Sequence, residues 1–350
     1  MNMPKATQVN VQDCGRRALD LLFTSMMIDE EWSTREERAF HWWGHGHTQR
    51  AWAEPPRDDH GEPVSLVHVE TDFLRNVEDS DKTYKDMDRM QSIATLFTFT
   101  LLPAEGKIRM HSTAYIHEGN YSWLSRVLLN VAGLQLLAAS ICQPLLEVFP
   151  GSEPDTTPHP VNGYRETPDE MIEGLRGFYS GAKNNPVSVA RGCFKETCRM
   201  LKECNLLASP GKTRLMAEFH FVGDHPALAR QMAGKTGVET SLYGALVDER
   251  HIILGNGLTS MLTLPAEKPP AEGLRWCNRM NLLESSEWTG FHLLGAWSTI
   301  FNGESSVLLG HHGFLPAFPV EPELLVNLAL SNGLRSKWVS SRLNNGMESY

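Results

Sequence analysis

The stretch WCNRMNLLE, Trp276 to Glu284, has a relative earlier in the chain: KDMDRMQSI, Lys85 to Ile93. Each holds an Arg-Met pair framed by two polar residues three apart, Asn278 and Asn281 in the later copy, Asp88 and Gln91 in the earlier. A polar side chain near a helix end can bond free backbone groups and set the exit into the next strand. Such a feature written twice raises the question of one fold written twice, and the flanking elements answer it.

In the second half, helical patterns at about 169–183 and 187–207 precede an extended stretch, RLMAEFHFVG. After a short helical run at 226–232 comes a long hairpin, GVETSLYGALV and HIILGNGLTSMLTLP, around an acidic turn at 248–250. In its second arm Ile252, Leu254, Leu258, Leu262 and Leu264 share one parity, the period of a strand with one buried face. Pro269 and Pro270 stop the sheet, and the quoted motif follows on a helix at about 271–284. HLLGAWSTIF and ESSVLLGHHGFL then flank Asn302 and Gly303, a pair suited to a hairpin turn with positive φ. A last helix starts near Glu321, with Leu324, Leu325, Leu328 and Ala329 as its inner stripe.

The first half gives nearly the same sequence of elements. A helix at about 11–27 leads into FHWWGHGHTQRAWAE and then VSLVHVETDFL, where Val67, Val69, Thr71 and Phe73 share a face. After KDMDRMQSI come TLFTFTLL and KIRMHSTAYI around a turn at 103–106, then a long helix from Tyr121 with Asn120 as its cap. One strand before the middle helix is missing, or lies hidden in the segment rich in Trp and His. Pro, Gly, Thr and acidic residues crowd 150–168, which reads as a linker between a first domain at 1–149 and a second at 169–343, with 344–350 as a disordered tail. The expected fold class is therefore α+β: two similar domains, each an antiparallel sheet with helices packed on it, in the order α-β-β-β-α-β-β-α.

The run from Ala271 to Trp338, with N-x-x-N on the middle helix, a hairpin and a closing amphipathic helix, resembles the YbjN-like family. That family is similar in fold to the class I type III secretion chaperones. The likeness is clearer in the C-terminal half, since Asp88 and Gln91 stand where the family pattern puts Asn. The resemblance implies a scaffold that holds another protein or extended peptide, with no catalysis and no cofactor. Chaperones of this group pair as dimers, so the chain is expected to be a monomeric pseudo-dimer, two copies fused in tandem, or a homo-oligomer.

Composition narrows the partners. With 350 residues and 41% hydrophobic content the chain is long enough for two buried cores. A net charge of -10 argues against a phosphate-binding surface, so no nucleic-acid partner is expected, and a basic protein partner fits better. The six cysteines form no CxxC pair, and Cys193, Cys198 and Cys204 scatter around one predicted helix. They read as reduced thiols in a cytoplasmic protein, and MNMPKATQVNVQDCGRR lacks the apolar core of a signal peptide. The apolar stretch at 123–149 is interrupted by Asn130, Gln135 and Pro144, so it is expected to be a buried helix and not a membrane span.

Two clusters compete for a functional reading. In HWWGHGH, taken as one strand, His41, Trp43, His45 and His47 face the same way. His45 and His47 could then hold a metal with His68 of the next strand as third ligand, although no carboxylate or Cys stands at a recognised ligand spacing. Trp42, Trp43 and Trp52, set among Gly44 and Gly46, suggest instead a face to which an extended peptide could add, or aromatics filling a core. The GKT endings at 211–213 and 234–236 lack the leading glycine of a phosphate loop. The expectation is a non-catalytic protein-binding module, chaperone or adaptor, with no resident metal. A metal-dependent enzyme built on His41, His45 and His47, or a structural subunit of a larger assembly, are the alternatives.

Overall fold

Two antiparallel sheets, each with its own packed helices, make up the α+β fold. The structure is a computed structural model, and the residues it describes are 13–91, 96–140, 147–182, 192–211, 214–221, 239–251, 254–301, 306–316 and 320–344. In the first half α1 (Cys14–Ser25) leads to β1 (Ser33–Arg35), β2 (Ala39–His45), β3 (His47–Ala53), the short β4 (Arg57–Asp59) and the long β5 (Glu62–Arg75). Then follow α2 (Asp81–Gln91), β6 (Thr98–Leu102), β7 (Lys107–Ile116) and α3 (Tyr121–Ser140). A connecting stretch carries β8 (Glu153–Pro154) and α4 (Glu170–Ala182). The second half runs α5 (Cys193–Glu203), β9 (Leu207–Pro210), β10 (Arg214–Phe221), β11 (Glu239–His251), β12 (Gly255–Lys268), α6 (Pro270–Ser286), β13 (Ala296–Phe301), β14 (Val307–Pro316) and α7 (Pro322–Asn344).

The strand order is β1-β2-β3-β5-β7-β6 in one sheet and β9-β10-β11-β12-β14-β13 in the other. The two agree position by position, so the halves share one topology. Each half carries more than the expected three strands before its middle helix: four in the second, where β9 leads in, and five in the first, where β1 leads in and the short β4 pairs with β5. The segment rich in Trp and His is two strands: β2 and β3 turn back on each other at Gly46, whose φ of +67° is a conformation that glycine adopts without steric cost.

Inner faces follow the predicted parity. Leu254, Leu258, Leu262 and Leu264 are all buried, as are Val67, Val69, Thr71 and Phe73, while Ile252 lies outside the described residues. Apart from Thr71, these side chains and the buried apolar ones of α1, α3 and α7 belong to one apolar cluster that runs through both halves. By length and composition alone α3 could cross a membrane. Here it lies on the first sheet, and its polar interruption is satisfied there: Gln135 donates to Val69 O at 3.1 Å and accepts from the Thr71 hydroxyl at 2.9 Å. Asn120 braces the preceding turn, accepting from His117 N and donating to Tyr115 O.

Several local expectations are corrected. The acidic residues at 248–250 belong to β11, since Arg250 pairs with Asn256 and His251 with Gly255. Pairing therefore continues through the expected turn as far as His251, because pairing of backbone groups outweighs the turn preference of acidic residues. Helix α4, read as the head of the second half, packs on α3, with Ile172 fully buried and Leu175 against Gly133. The segment at 150–168 is tied along the first half: β8 pairs with the end of β5, Thr156 bridges to His47, and Arg165 donates to Trp43 O. The helix at 226–232 and the Asn302–Gly303 turn lie outside the described residues, although β13 and β14 pair as far as Phe301 and Val307.

Leu258 tests this arrangement. It sits on the inner face of β12 with no exposed surface, so Leu258→Asp should destabilise the fold by about 3–5 kcal/mol in urea unfolding. Wild-type stability in that variant would contradict the strand parity.

Candidate functional site

The repeated motif occupies the junction of the halves. β6 and β13 end the hydrogen-bonded order of their sheets, and α2 and α6 pack against each other beside them. Within its own half, Gln91 bonds both backbone groups of Phe99 on β6, accepting from N at 3.0 Å and donating to O. Asn281 does the same to Trp297 on β13, at 2.8 Å to N and 3.2 Å to O. The first residue of each motif crosses over. Asn278 accepts from Leu101 N at 2.9 Å and donates to Leu101 O at 3.2 Å, while Asp88 accepts from the Thr299 N and hydroxyl, both at 2.7 Å. Phe99 and Leu101 on one edge thus match Trp297 and Thr299 on the other, and each helix holds one residue of its own strand and one of its neighbour's. Burial raises the Asp88 carboxyl above its ordinary pKa, and the two bonds from Thr299 act against that.

A second contact fixes the halves from the other side. The loop after α6 lays Leu293 on Thr113, with Thr113 N donating to Leu293 O at 3.2 Å. His292 Nδ1 accepts from Tyr115 N at 3.1 Å, so this ring is neutral with its proton on Nε2. Behind the loop, Arg335 and Glu284 form a fully buried ion pair, with Arg335 Nε 3.1 Å from both carboxylate oxygens. Trp297 Nε1 donates to Glu284 at 2.6 Å, and Arg335 also donates to Asn332 and to His292 O. Burial pushes the Glu284 carboxyl up and the Arg335 guanidinium down from their ordinary values, and the partner's charge together with the bonds between them and from Trp297 acts against that shift.

The outer faces of the sheets differ sharply. On the first, Glu54, His68, His111 and Glu70 stand in a row: His68 Nε2 lies 3.4 Å from Glu54, its Nδ1 3.3 Å from His111 Nε2, and His111 Nδ1 3.4 Å from Glu70. Trp52 stacks on His68 with ring centroids 4.3 Å apart, and Arg50 lies over Trp52. Burial, then the neighbouring His111 and Arg50, push His68 down to about 3. On the second sheet the charged positions Glu70 and Arg50 are matched by residues without charge, while His68 falls on Thr259 and the His111 position keeps a histidine. Superposing Phe99 on Trp297 and following the ladders carries His111 onto His312, Glu70 onto Met261, Arg50 onto Gly244, Thr48 onto Leu242 and Trp52 onto Leu246.

The predicted site residues are dispersed by this geometry. A bulge between Trp43 and His45 and the turn at Gly46 break the supposed single face: His41 stacks on Trp43, while His47 Nδ1 donates to Asp72 O and the ring packs near Phe73. His47 and His68 face opposite sides of the sheet, since His47 shares the parity of Gln49 and Ala51 and His68 pairs beside Trp52. The His45 side chain lies outside what is described. Among the described residues no group of three His, Cys, Asp or Glu is placed to hold a metal. Trp42 is a core residue, Trp43 is covered edge-on by His159, and Trp52 lies in the histidine row. The sequence signal missed was the second parity of β5, His68-x-Glu70, read against the apolar parity beside it.

No family model, curated protein or solved structure matches this chain.

The clasp predicts an asymmetry between two substitutions. Asp88→Ala leaves Thr299 N without its partner and should cost about 1–3 kcal/mol. Asp88→Asn reproduces the Asn278 arrangement and relieves a buried charge, so it should leave stability within about 0.5 kcal/mol of wild type or raise it. Urea midpoints at neutral pH distinguish them, and equal losses would contradict the assigned bonds.

His68 predicts a pH dependence. Its folded pKa of about 3 lies below the unfolded value of roughly 6.5, so the unfolded chain takes up the proton first as pH falls. The contribution is whole above about pH 6.5 and is lost between there and about 3. His68→Phe should therefore reduce the acid-side slope of stability against pH by about one proton, and an unchanged slope would refute the neutral assignment.

Proposed function

We propose that this chain is a non-catalytic protein-binding module, a chaperone or adaptor built as a fused pseudo-dimer, and that the outer face of its second sheet receives an extended apolar segment of the partner. The observation that carries this is a pair of exposed side chains in mid-sheet: Leu242 is 45% and Met261 37% exposed, on the adjacent strands β11 and β12. Half-buried Met216 and Leu246 flank them, and Gly244 and Gly310 in the same rows add no side chain. Methionine and leucine on a shallow face accept varied apolar partners.

Support for an extended occupant comes from the first half. There the position matching Leu242 is Thr48, whose hydroxyl bonds the hydroxyl of Thr157 from the segment running along that half. The first copy thus meets a length of its own chain where the second offers apolar surface. The resemblance to the YbjN-like family and to class I type III secretion chaperones points the same way, toward holding another polypeptide in a cytoplasmic setting.

Site-directed photo-crosslinking in the native host tests the reading. A benzoylphenylalanine replacing Leu242 should capture another polypeptide, the same group replacing Arg50 should not, and Met261→Asp should abolish the capture. Crosslinks confined to copies of this chain, or equal capture at both positions, would overturn it.

A further inference from the structure

A cleft of about 240 Å³ opens between the two halves. Its walls come from both copies: the β4–β5 hairpin and the end of β7 on one side, the loop after α6 and the outer surface of α7 on the other. It therefore exists only because the halves dock as they do, and the His292–Tyr115 bond forms part of its floor.

The two sides have unlike chemistry. Asp59 and Glu62 line the first, and among the described residues neither Lys nor Arg lines the cleft. Phe291, Leu330 and Leu334 line the second. Leu334 is 51% exposed, on a helix whose inner residues are buried in the core. Glu62 has His117 Nδ1 at 3.2 Å on one oxygen, and Asp59 has the exposed His60 ring at 3.8 Å. Both carboxylates are open enough to meet an incoming charge.

Each simple ligand class leaves something unmet. An anion is repelled by the two carboxylates. A wholly apolar molecule would desolvate them without compensation. A bare metal ion would make no use of the leucine and phenylalanine wall. A cation on a short alkyl stem meets both sides, and the volume lies just below the range of roughly 300–1,000 Å³ usual for drug-sized ligands. We propose that this cleft binds an alkylguanidinium or alkylammonium group, the chemistry of an Arg or Lys side chain or of a free amine. Asp59 and Glu62 meet the cation, and Phe291, Leu330 and Leu334 pack along its stem. The site is separate from the open face of the second sheet and stands without it.

Calorimetric titration of the full chain with n-butylguanidinium is the test. Binding should be one to one with Kd of about 1 mM, as expected for so few atoms. The neutral isostere n-butylurea should bind at least about tenfold more weakly, and Asp59→Asn with Glu62→Gln should weaken n-butylguanidinium by about tenfold. Both residues sit on an exposed hairpin, so an unchanged melting temperature checks that the variant is folded. Leu334→Ser should weaken n-butylguanidinium while leaving unsubstituted guanidinium unaffected. Tighter binding of acetyl-Leu-Arg-Leu-amide than of n-butylguanidinium would identify a polypeptide side chain as the source, and the reverse order a free amine; either supports the site. Equal binding of the urea, an unchanged affinity in the double variant, or absence of binding up to about 20 mM would overturn it.

Discussion

Two sheet edges that satisfy each other's helices are the constraint on which this molecule depends. An edge strand directs the N–H and C=O of alternate residues outward, where they must find partners or invite another chain. On β6 these are Phe99 and Leu101, on β13 Trp297 and Thr299; a motif side chain from α2 or α6 meets each of the four N–H groups and the C=O of Phe99, Leu101 and Trp297. Amides suit the task because one side chain both accepts and donates, mimicking the strand that is absent. With the polar groups matched, the apolar surfaces of α2 and α6 can close over the edges, and the cores become continuous. The ion pair of Glu284 and Arg335 then holds the adjacent loop in the shape that reaches Tyr115.

Much of this scaffold is legible in the amino-acid sequence because it rests on local periods. The leucines of β12 and the stripe Val67, Val69, Thr71, Phe73 repeat every second residue, and burial on one face follows directly. The paired motifs at Asp88 and Asn278 mark corresponding places in the two copies. What they bond is a different matter, since nothing within nine residues distinguishes a side chain that turns to its own strand from one that crosses to another. Long-range choices also decided α4, which follows a stretch of turn-forming residues and still packs backward onto α3. At the histidines a single extra residue was enough: the bulge after Trp43 shifts the parity, and strict alternation misplaces every side chain beyond it.

The outer faces were the least legible part, for a physical reason. A face without helices has no apolar period to announce it, so Glu70 and His111 look like ordinary solvent-side residues in a linear reading, and His68 stands out only beside His45 and His47. Only the ladder brings Glu54 to His68 and His111 to Glu70. The same ladder, followed through the other copy, puts Met261 at the place of Glu70 and Gly244 at that of Arg50, while His312 keeps the histidine of His111. Thus the copies agree where they build the fold and disagree where they meet solvent.

Carrying both copies on one chain changes what evolution can do with them. In a homodimer every replacement appears twice, and a residue useful on one subunit is imposed on the other. Here a tether keeps the copies at an effective concentration of the order of millimolar whatever the expression level, so pairing survives dilution. Threonine at 48 and leucine at 242 could then drift apart under separate selection, one copy growing polar at that place while its sibling stayed apolar.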